Sequence, residues 1–163
     1  MIDWIAWIEE YGPMISRISW HILGNRSDVE DNVQEVFIEA FRLQDRTVVH
    51  DWSALLRRIA VLQALARRRR RRLQVCLDDI TLMDTKSLPE EEAIERELET
   101  RLRDAVARLP EREGAAFALR YFEGLDLPAI ASSLGIRYSA AGAALCRARS
   151  KLKGVFESVL EGE

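Results

Sequence analysis

In the stretch DVEDNVQEVFIEAFR, Asp31, Gln34 and Glu35 fall at i, i+3 and i+4 and therefore share one face of a helix. Two carboxylates and an amide on one ridge suit docking onto a basic protein surface, although a solvated outer face follows from the same spacing. A second kind of chemistry lies in the consecutive arginines Arg67, Arg68, Arg69, Arg70, Arg71 and Arg72. Such a run surrounds the whole helix, so it cannot form one salt-bridged stripe. Like charges at i, i+4 repel, and the run calls for a polyanion to offset it. The planar fork of arginine grips phosphate through two hydrogen bonds, which points to nucleic acid. Trp52, upstream of the run, offers either a stacking surface for an unpaired base or a core side chain.

Other chemistry is absent from the pattern. No nucleophile–base pair, metal cluster or phosphate loop appears, so an enzyme is not expected and no cofactor is called for. Cys76 and Cys146 form no CxxC pair and lie far in sequence from His21 and His50, which argues against a metal site or a disulfide framework. The opening MIDWIAWIEEY lacks a basic start and meets Asp3, Glu9 and Glu10 too early for a signal peptide. No apolar run is long enough to span a bilayer, and Trp4 and Trp7 lack the basic polar face of a membrane-surface helix, so core packing suits them better. A cytoplasmic protein without membrane insertion is expected.

These groups must be positioned by helices, because the 3.6-residue period dominates and strand alternation is hard to find. Hydrophobic residues make up 48% of the 163 and charged ones 31%, enough apolar material for real cores. The net charge of −3 hides an asymmetry: residues 1–75 carry 12 Lys+Arg against 10 Asp+Glu, residues 76–163 carry 12 against 17. A first helix runs from about Asp3 to Leu23, kinked or split at Pro13. A second opens at SDVE, with Ser27 as N-cap and Glu30 completing a capping box, and carries Val29, Val33, Val36, Phe37, Ala40 and Phe41 on one stripe. A third starts near Asp51-Trp52 and runs into the arginines. Periodicity fades between Leu73 and Pro89, and Ser87 with Glu90 forms another capping box ahead of an acidic helix to about Arg108. Pro110 suits the first turn of the next helix, which ends near Phe122-Glu123-Gly124. Helices at about Leu127–Leu134 and Ser139–Phe156, joined across Gly135, have helix-turn-helix spacing. Ala129, Ile130, Leu134 and Ile136 are the apolar contacts of that motif. The expected fold is all-α: a helical domain at 1–74, a flexible acidic linker at 75–90 and a helix-turn-helix domain at 91–163.

DVEDNVQEVFIEAFR and LPEREGAAFALRYFEGLDLPAIASSLGI, in this order and separated by this linker, resemble the extracytoplasmic-function (ECF) sigma factors of bacterial RNA polymerase. The likeness covers nearly the whole chain. It implies an alternative sigma factor that binds core polymerase, brings it to promoters and helps to open the −10 region. Asp31, Gln34 and Glu35 match the face that binds the clamp of the β′ subunit in the family. Trp52, Ile59-Ala60 and the run Arg67–Arg72 match the part that captures and melts the −10 element. The helix-turn-helix matches the domain that reads the −35 element and sits on the β flap, and an anti-sigma factor is a further expected partner.

The chain departs from the family pattern at two places. An Asn and an Asp usually follow the Ile-Ala pair, where Leu62 and Ala66 stand here. In the recognition helix the family's polar residues are replaced by Ala140, Gly142, Ala143 and Ala144, while Leu145, Arg147, Ala148 and Arg149 keep the framework. Alanine can touch a thymine methyl but offers no donor or acceptor to a base edge. Arg137, Ser139, Arg147, Arg149, Lys151 and Lys153 can still hold phosphates, which position without specifying. Three readings of the alanine-rich helix stay open: a weak DNA reader, a protein-facing surface, and tolerant positions filled by the best helix former. The alternative function is accordingly a diverged sigma-like interaction module that binds polymerase or a regulator without selecting promoters.

Overall fold

The computed structural model describes residues 2–77 and 89–160, and all regular structure among them is helical. Helix α1 spans Trp4–Leu23, α2 Arg26–Gln44 and α3 Trp52–Leu77; α4 spans Glu90–Arg108, α5 Glu111–Tyr121, α6 Leu127–Leu134 and α7 Tyr138–Leu160. Asp3 caps α1 by accepting hydrogen bonds from the amides of Ile5 and Ala6 at 3.1 and 3.3 Å. The helix runs unbroken through Pro13, which is exposed, so the carbonyl that proline leaves without a donor can be met by water. Gly24 ends it in the left-handed conformation (φ 70°), with its amide donating to the Trp20 carbonyl.

Asn25, not Ser27, caps α2. Its Oδ1 accepts from the Asp28 amide at 2.9 Å while its Nδ2 donates to the Asp28 carboxylate at 2.7 Å. This is the reciprocal arrangement expected of Ser27 and Glu30, shifted two residues upstream because the amide of asparagine can both accept and donate. Glu30 pairs instead with Arg26 at 2.8 Å. Val29, Val36 and Ala40 are buried and Val33 and Phe37 half-buried, as the stripe requires; Phe41 is 54% exposed and rests on the Trp4 ring, 5.3 Å away. Asn32 occupies the buried face among them. Its Nδ2 donates to Ser19 Oγ at 2.8 Å and to the Ala60 carbonyl at 3.3 Å, tying α1, α2 and α3 together at one point.

Helix α3 opens on Asp51, which accepts from the Ala54 amide, and continues to Leu77, three residues into the expected linker. Residues 78–88 and Ser87's capping box lie outside the described residues. Pro110 precedes α5 directly, and Asp126 caps α6 by accepting from the Ala129 amide at 2.9 Å. Gly135 makes the helix-turn-helix corner at φ 64°, where a side chain would be strained. Ile130 and Leu134 are buried and Ile136 packs against them, as the motif requires.

The N-terminal three helices and the C-terminal four share a single buried cluster. Helix α3 packs on α1 and α2 from one side and on α4, α5 and α6 from the other. Its buried residues, Ala54, Leu56, Ala60, Val61, Ala64 and Leu65, therefore cover more of the circumference than a surface helix would.

Two outcomes follow from the α1–α2–α3 packing. Replacing Asn32 by Ala removes both inter-helix hydrogen bonds and is expected to cost about 1–3 kcal/mol in chemical denaturation; an unchanged midpoint would contradict its bridging role. Burial acts to raise the pKa of Asp28, but the hydrogen bonds from Asn25 and Arg71 and the charges of Arg71 and Arg67 outweigh it and hold the carboxyl below its ordinary value. A carboxyl depressed in the folded state stabilises fully above its unfolded pKa of about 3.9 and loses that contribution as pH falls through the folded value. The stability gap between the parent and Asp28→Asn should thus be present at neutral pH and shrink below about pH 4. A gap independent of pH would contradict this assignment.

Candidate polymerase and nucleic-acid interface

Asp31, Gln34 and Glu35 all face solvent on α2, opposite its buried stripe. Gln34 has no polar partner among the described residues, whereas the two carboxylates are engaged from behind. Arg67 of α3 reaches Glu35 at 2.7 Å and Asp31 at 3.7 Å, with only 18% of its own side chain exposed. The ridge is therefore backed by an arginine that orients its carboxylates while leaving them about half exposed.

The arginine run divides by direction. Arg68 points inward: its Nε donates to Asp104 at 2.9 Å, and Nη1 donates to the carbonyls of Ile22 and Leu23 at 3.1 and 2.9 Å. These carbonyls close the end of α1, beyond the reach of its own backbone amides, so Arg68 works as a C-terminal cap supplied by another helix, beside Asn25 Nδ2 on the Leu23 carbonyl at 3.5 Å. Burial pulls the Arg68 pKa down, and Asp104 opposes that shift. Arg71 pairs with Asp28, and Arg72 with Asp104 at 2.7 Å. The offset that the run calls for is thus supplied largely inside the chain, by Asp28, Asp31, Glu35, Asp104 and the end of α1. Spacing along one helix could not reveal this, because Asp104 comes from a distant segment. Arg69 and Arg70 have no carboxylate partner among the described residues, and Arg70 is exposed.

Trp52 is half-buried, its ring edge-on to Trp7 at 4.6 Å; Trp7 in turn meets Trp4 and Tyr11. The core role foreseen for Trp52 accounts for this geometry.

In α7 the small residues divide as well. Ala141, Ala144 and Ala148 are 0–1% exposed and, with Leu145 and Leu152, form the stripe that packs on α5 and α6. Helix α5 is itself rich in small buried residues, Ala115, Ala116 and Ala118, which suits close packing of helices. Ala144 is therefore a core residue here and not an exposed reading position. Ala143 is exposed and Ala140 and Gly142 half-exposed, beside exposed Arg137 and Ser139.

Four of the expected phosphate contacts are held in place by partners. The buried Glu113 carboxylate meets Arg147 at 3.2 Å and Lys151 at 2.7 Å, and Arg149 Nε donates to Tyr121 Oη at 2.5 Å with its guanidinium over that ring. Lys153 pairs with Glu157 at 3.6 Å. Sequence reasoning missed Glu113, Tyr121 and Tyr138. Tyr138 opens α7 between Arg137 and Ser139 and is 60% exposed, and an aromatic ring between those two residues at the start of a recognition-type helix was the available signal.

Comparison with known proteins shows the family. Residues 7–74 match the Sigma-70 region 2 family and residues 99–152 the Sigma-70, region 4 family. The chain is 27% identical over 157 residues to the ECF RNA polymerase sigma factor SigE of Mycolicibacterium smegmatis, across 94% of this chain and 61% of that protein. It is 28% identical to the RNA polymerase sigma factor SigZ of Bacillus subtilis, across 93% of this chain and 85% of that one. The sigma factor RpoE of Bartonella quintana, solved with the anti-sigma factor NepR, shares the fold at a TM-score of 0.55 and 18% identity, over 95% of this chain and 97% of that one. With α1–α3 matching region 2 and the helix-turn-helix lying within region 4, the chain belongs to the ECF sigma factors of RNA polymerase.

Proposed function

We propose that this chain is an alternative sigma factor that binds core RNA polymerase, directs it to promoters and helps to open the −10 region, with no catalytic activity of its own. The reading is carried by the presence of both sigma-70 regions, in order, in a single chain. It acts in the cytoplasm, where promoters and polymerase meet; no helix among the described residues is long and apolar enough to cross a membrane. Asp31, Gln34 and Glu35 dock on the β′ clamp, and α6–α7 sit at the −35 element and the β flap. By analogy with the complex of RpoE and NepR, an anti-sigma factor is a further partner.

DNA contact falls to fewer residues than the sequence offers. Arg69, Arg70, Arg137, Tyr138 and Ser139 are the groups with least internal commitment. Arg67, Arg68, Arg71, Arg72, Arg147, Arg149 and Lys151 each give up an internal ion pair or hydrogen bond, or share it, when they meet a phosphate. Trp52 contributes a ring edge once its packing on Trp7 loosens. This internal engagement, with the methyl surface around Ala143, also favours the second reading: a sigma-like protein that binds polymerase or a regulator and selects promoters poorly.

Gln34→Lys tests the docking ridge without disturbing the Arg67 pairs. It places a positive charge against a basic clamp surface, and core-polymerase affinity should fall by a factor of about ten or more while the helical circular dichroism stays unchanged. Parent-like affinity would contradict the ridge. Arg70→Gln should lower the slope of log affinity against log salt by about 0.7–0.9, the value of one lost phosphate contact, with no loss of stability. Arg68→Gln should chiefly destabilise the fold. Equal slopes for the parent and Arg70→Gln would remove Arg70 from the DNA interface.

A further inference from the structure

We propose that this chain carries a binding site for a nucleoside diphosphate, in the cavity lined by the last turns of α3 and the second halves of α4 and α7. The site goes beyond the sigma-factor reading and does not depend on it. The cavity has a volume of about 560 Å³, inside the range of about 300–1,000 Å³ that suits small organic ligands. Four cations from three helices line it: Arg72 of α3, Arg101 and Arg108 of α4, and Lys151 of α7. Against them stands one carboxylate, Asp104. Internal pairing does not exhaust this charge. Asp104 is shared by Arg68 at 2.9 Å and Arg72 at 2.7 Å, so two guanidiniums meet one carboxylate. Glu113 is shared in the same way by Arg147 and Lys151. Arg108 is exposed and has no carboxylate partner among the described residues. Arg101 pairs with Glu97 at 2.5 Å, in an exposed i, i+4 contact of the weak kind. One positive charge is thus left over at each shared carboxylate and a further one at Arg108, which suits an anion of about three charges, such as a diphosphate.

The end of α4 and the start of α5 meet at Leu109-Pro110 on the cavity wall, so their opposite dipole ends offset and the side chains set the field. Charge alone does not decide the ligand. Leu109, Pro110, Leu152 and Val155 make up the rest of the wall with Ala105. Leu109 and Leu152 are buried, and Val155 is 42% exposed. A bare phosphate would leave this apolar wall in water, whereas a base and its sugar would cover it. Arginine forks grip phosphate oxygens two at a time, and phosphates joined to a flat ring are the chemistry of a nucleotide. Duplex DNA is a poorer occupant, because its bases are stacked within the helix and only its phosphates would reach the cavity. Arg72 and Lys151 are also candidate DNA contacts, so bound nucleotide and DNA would compete for them.

Calorimetric titration of the full-length chain with ADP and GDP tests the site, with adenosine and inorganic pyrophosphate standing for the two halves of the ligand. At least one diphosphate should bind about tenfold tighter or more than either half, because only the whole molecule meets both the cations and the apolar wall. Arg101→Gln and Arg108→Gln should each weaken that binding by about tenfold, the effect of one lost charge-assisted hydrogen bond, with unchanged helical circular dichroism. Arg46→Gln removes an exposed arginine beyond α2, the same change in net charge, and should bind the diphosphate as the parent does. Absence of binding by both diphosphates, pyrophosphate bound as tightly as the diphosphate, or an equal loss in Arg46→Gln would overturn the proposal.

Discussion

The guanidinium of Arg68 sits in the middle of the molecule, shared between Asp104 of α4 and the last two carbonyls of α1. A charge in this position is tolerable because its nitrogens donate to a carboxylate, to the two carbonyls at the end of α1 and to the Thr100 carbonyl of α4. Those same partners come from both halves of the chain, so satisfying this one group brings α4 against α1 and α3. The apolar contact of Leu65 with α5 and the ion pair of Arg17 with Glu123 then build outward from it. Helix α3 becomes the central element of a shared core.

That arrangement sets the tension in the functional reading. The proposed function has α3 and α7 meet DNA, yet most of their basic side chains are engaged within the chain. Intramolecular ion pairs at half-exposed positions are weak enough to exchange for phosphate at modest cost. The inward Arg68 is the exception, since its release would remove one of the two arginines on Asp104 and the arginine that closes the end of α1. The engaged arginines therefore set a threshold for binding and do not forbid it. On the proposed reading, polymerase docking on the ridge of α2 is the source of the free energy that passes it.

Much of this was legible in the sequence, and the losses have physical reasons. The helices, the outward ridge of Asp31, Gln34 and Glu35, the Gly135 corner and the family all followed from period and motif, because each depends on neighbours within a few residues. The cap of α2 was misplaced by two residues, since Asn25 and Asp28 pair as well as a Ser–Glu box does. The arginine run read as surplus charge because its partners come from other helices, and no local pattern reports Asp104. Ala144 stands where the family carries a polar residue, and the sequence leaves its side of the helix open. Its burial depends on the small residues of α5, whose facing register shows only in three dimensions. The packing of the two halves on each other was not foreseen, although Leu62 and Ala66 already marked α3 as unusually apolar.

Transcription with purified components tests the account most directly. The full chain would be added to core RNA polymerase with a library of genomic fragments, and the 5′ ends of the transcripts mapped. The account expects discrete start sites that require the chain and share a common upstream element. Stable binding to core polymerase with no chain-dependent start sites would contradict it, and would leave an interaction module in place of a sigma factor.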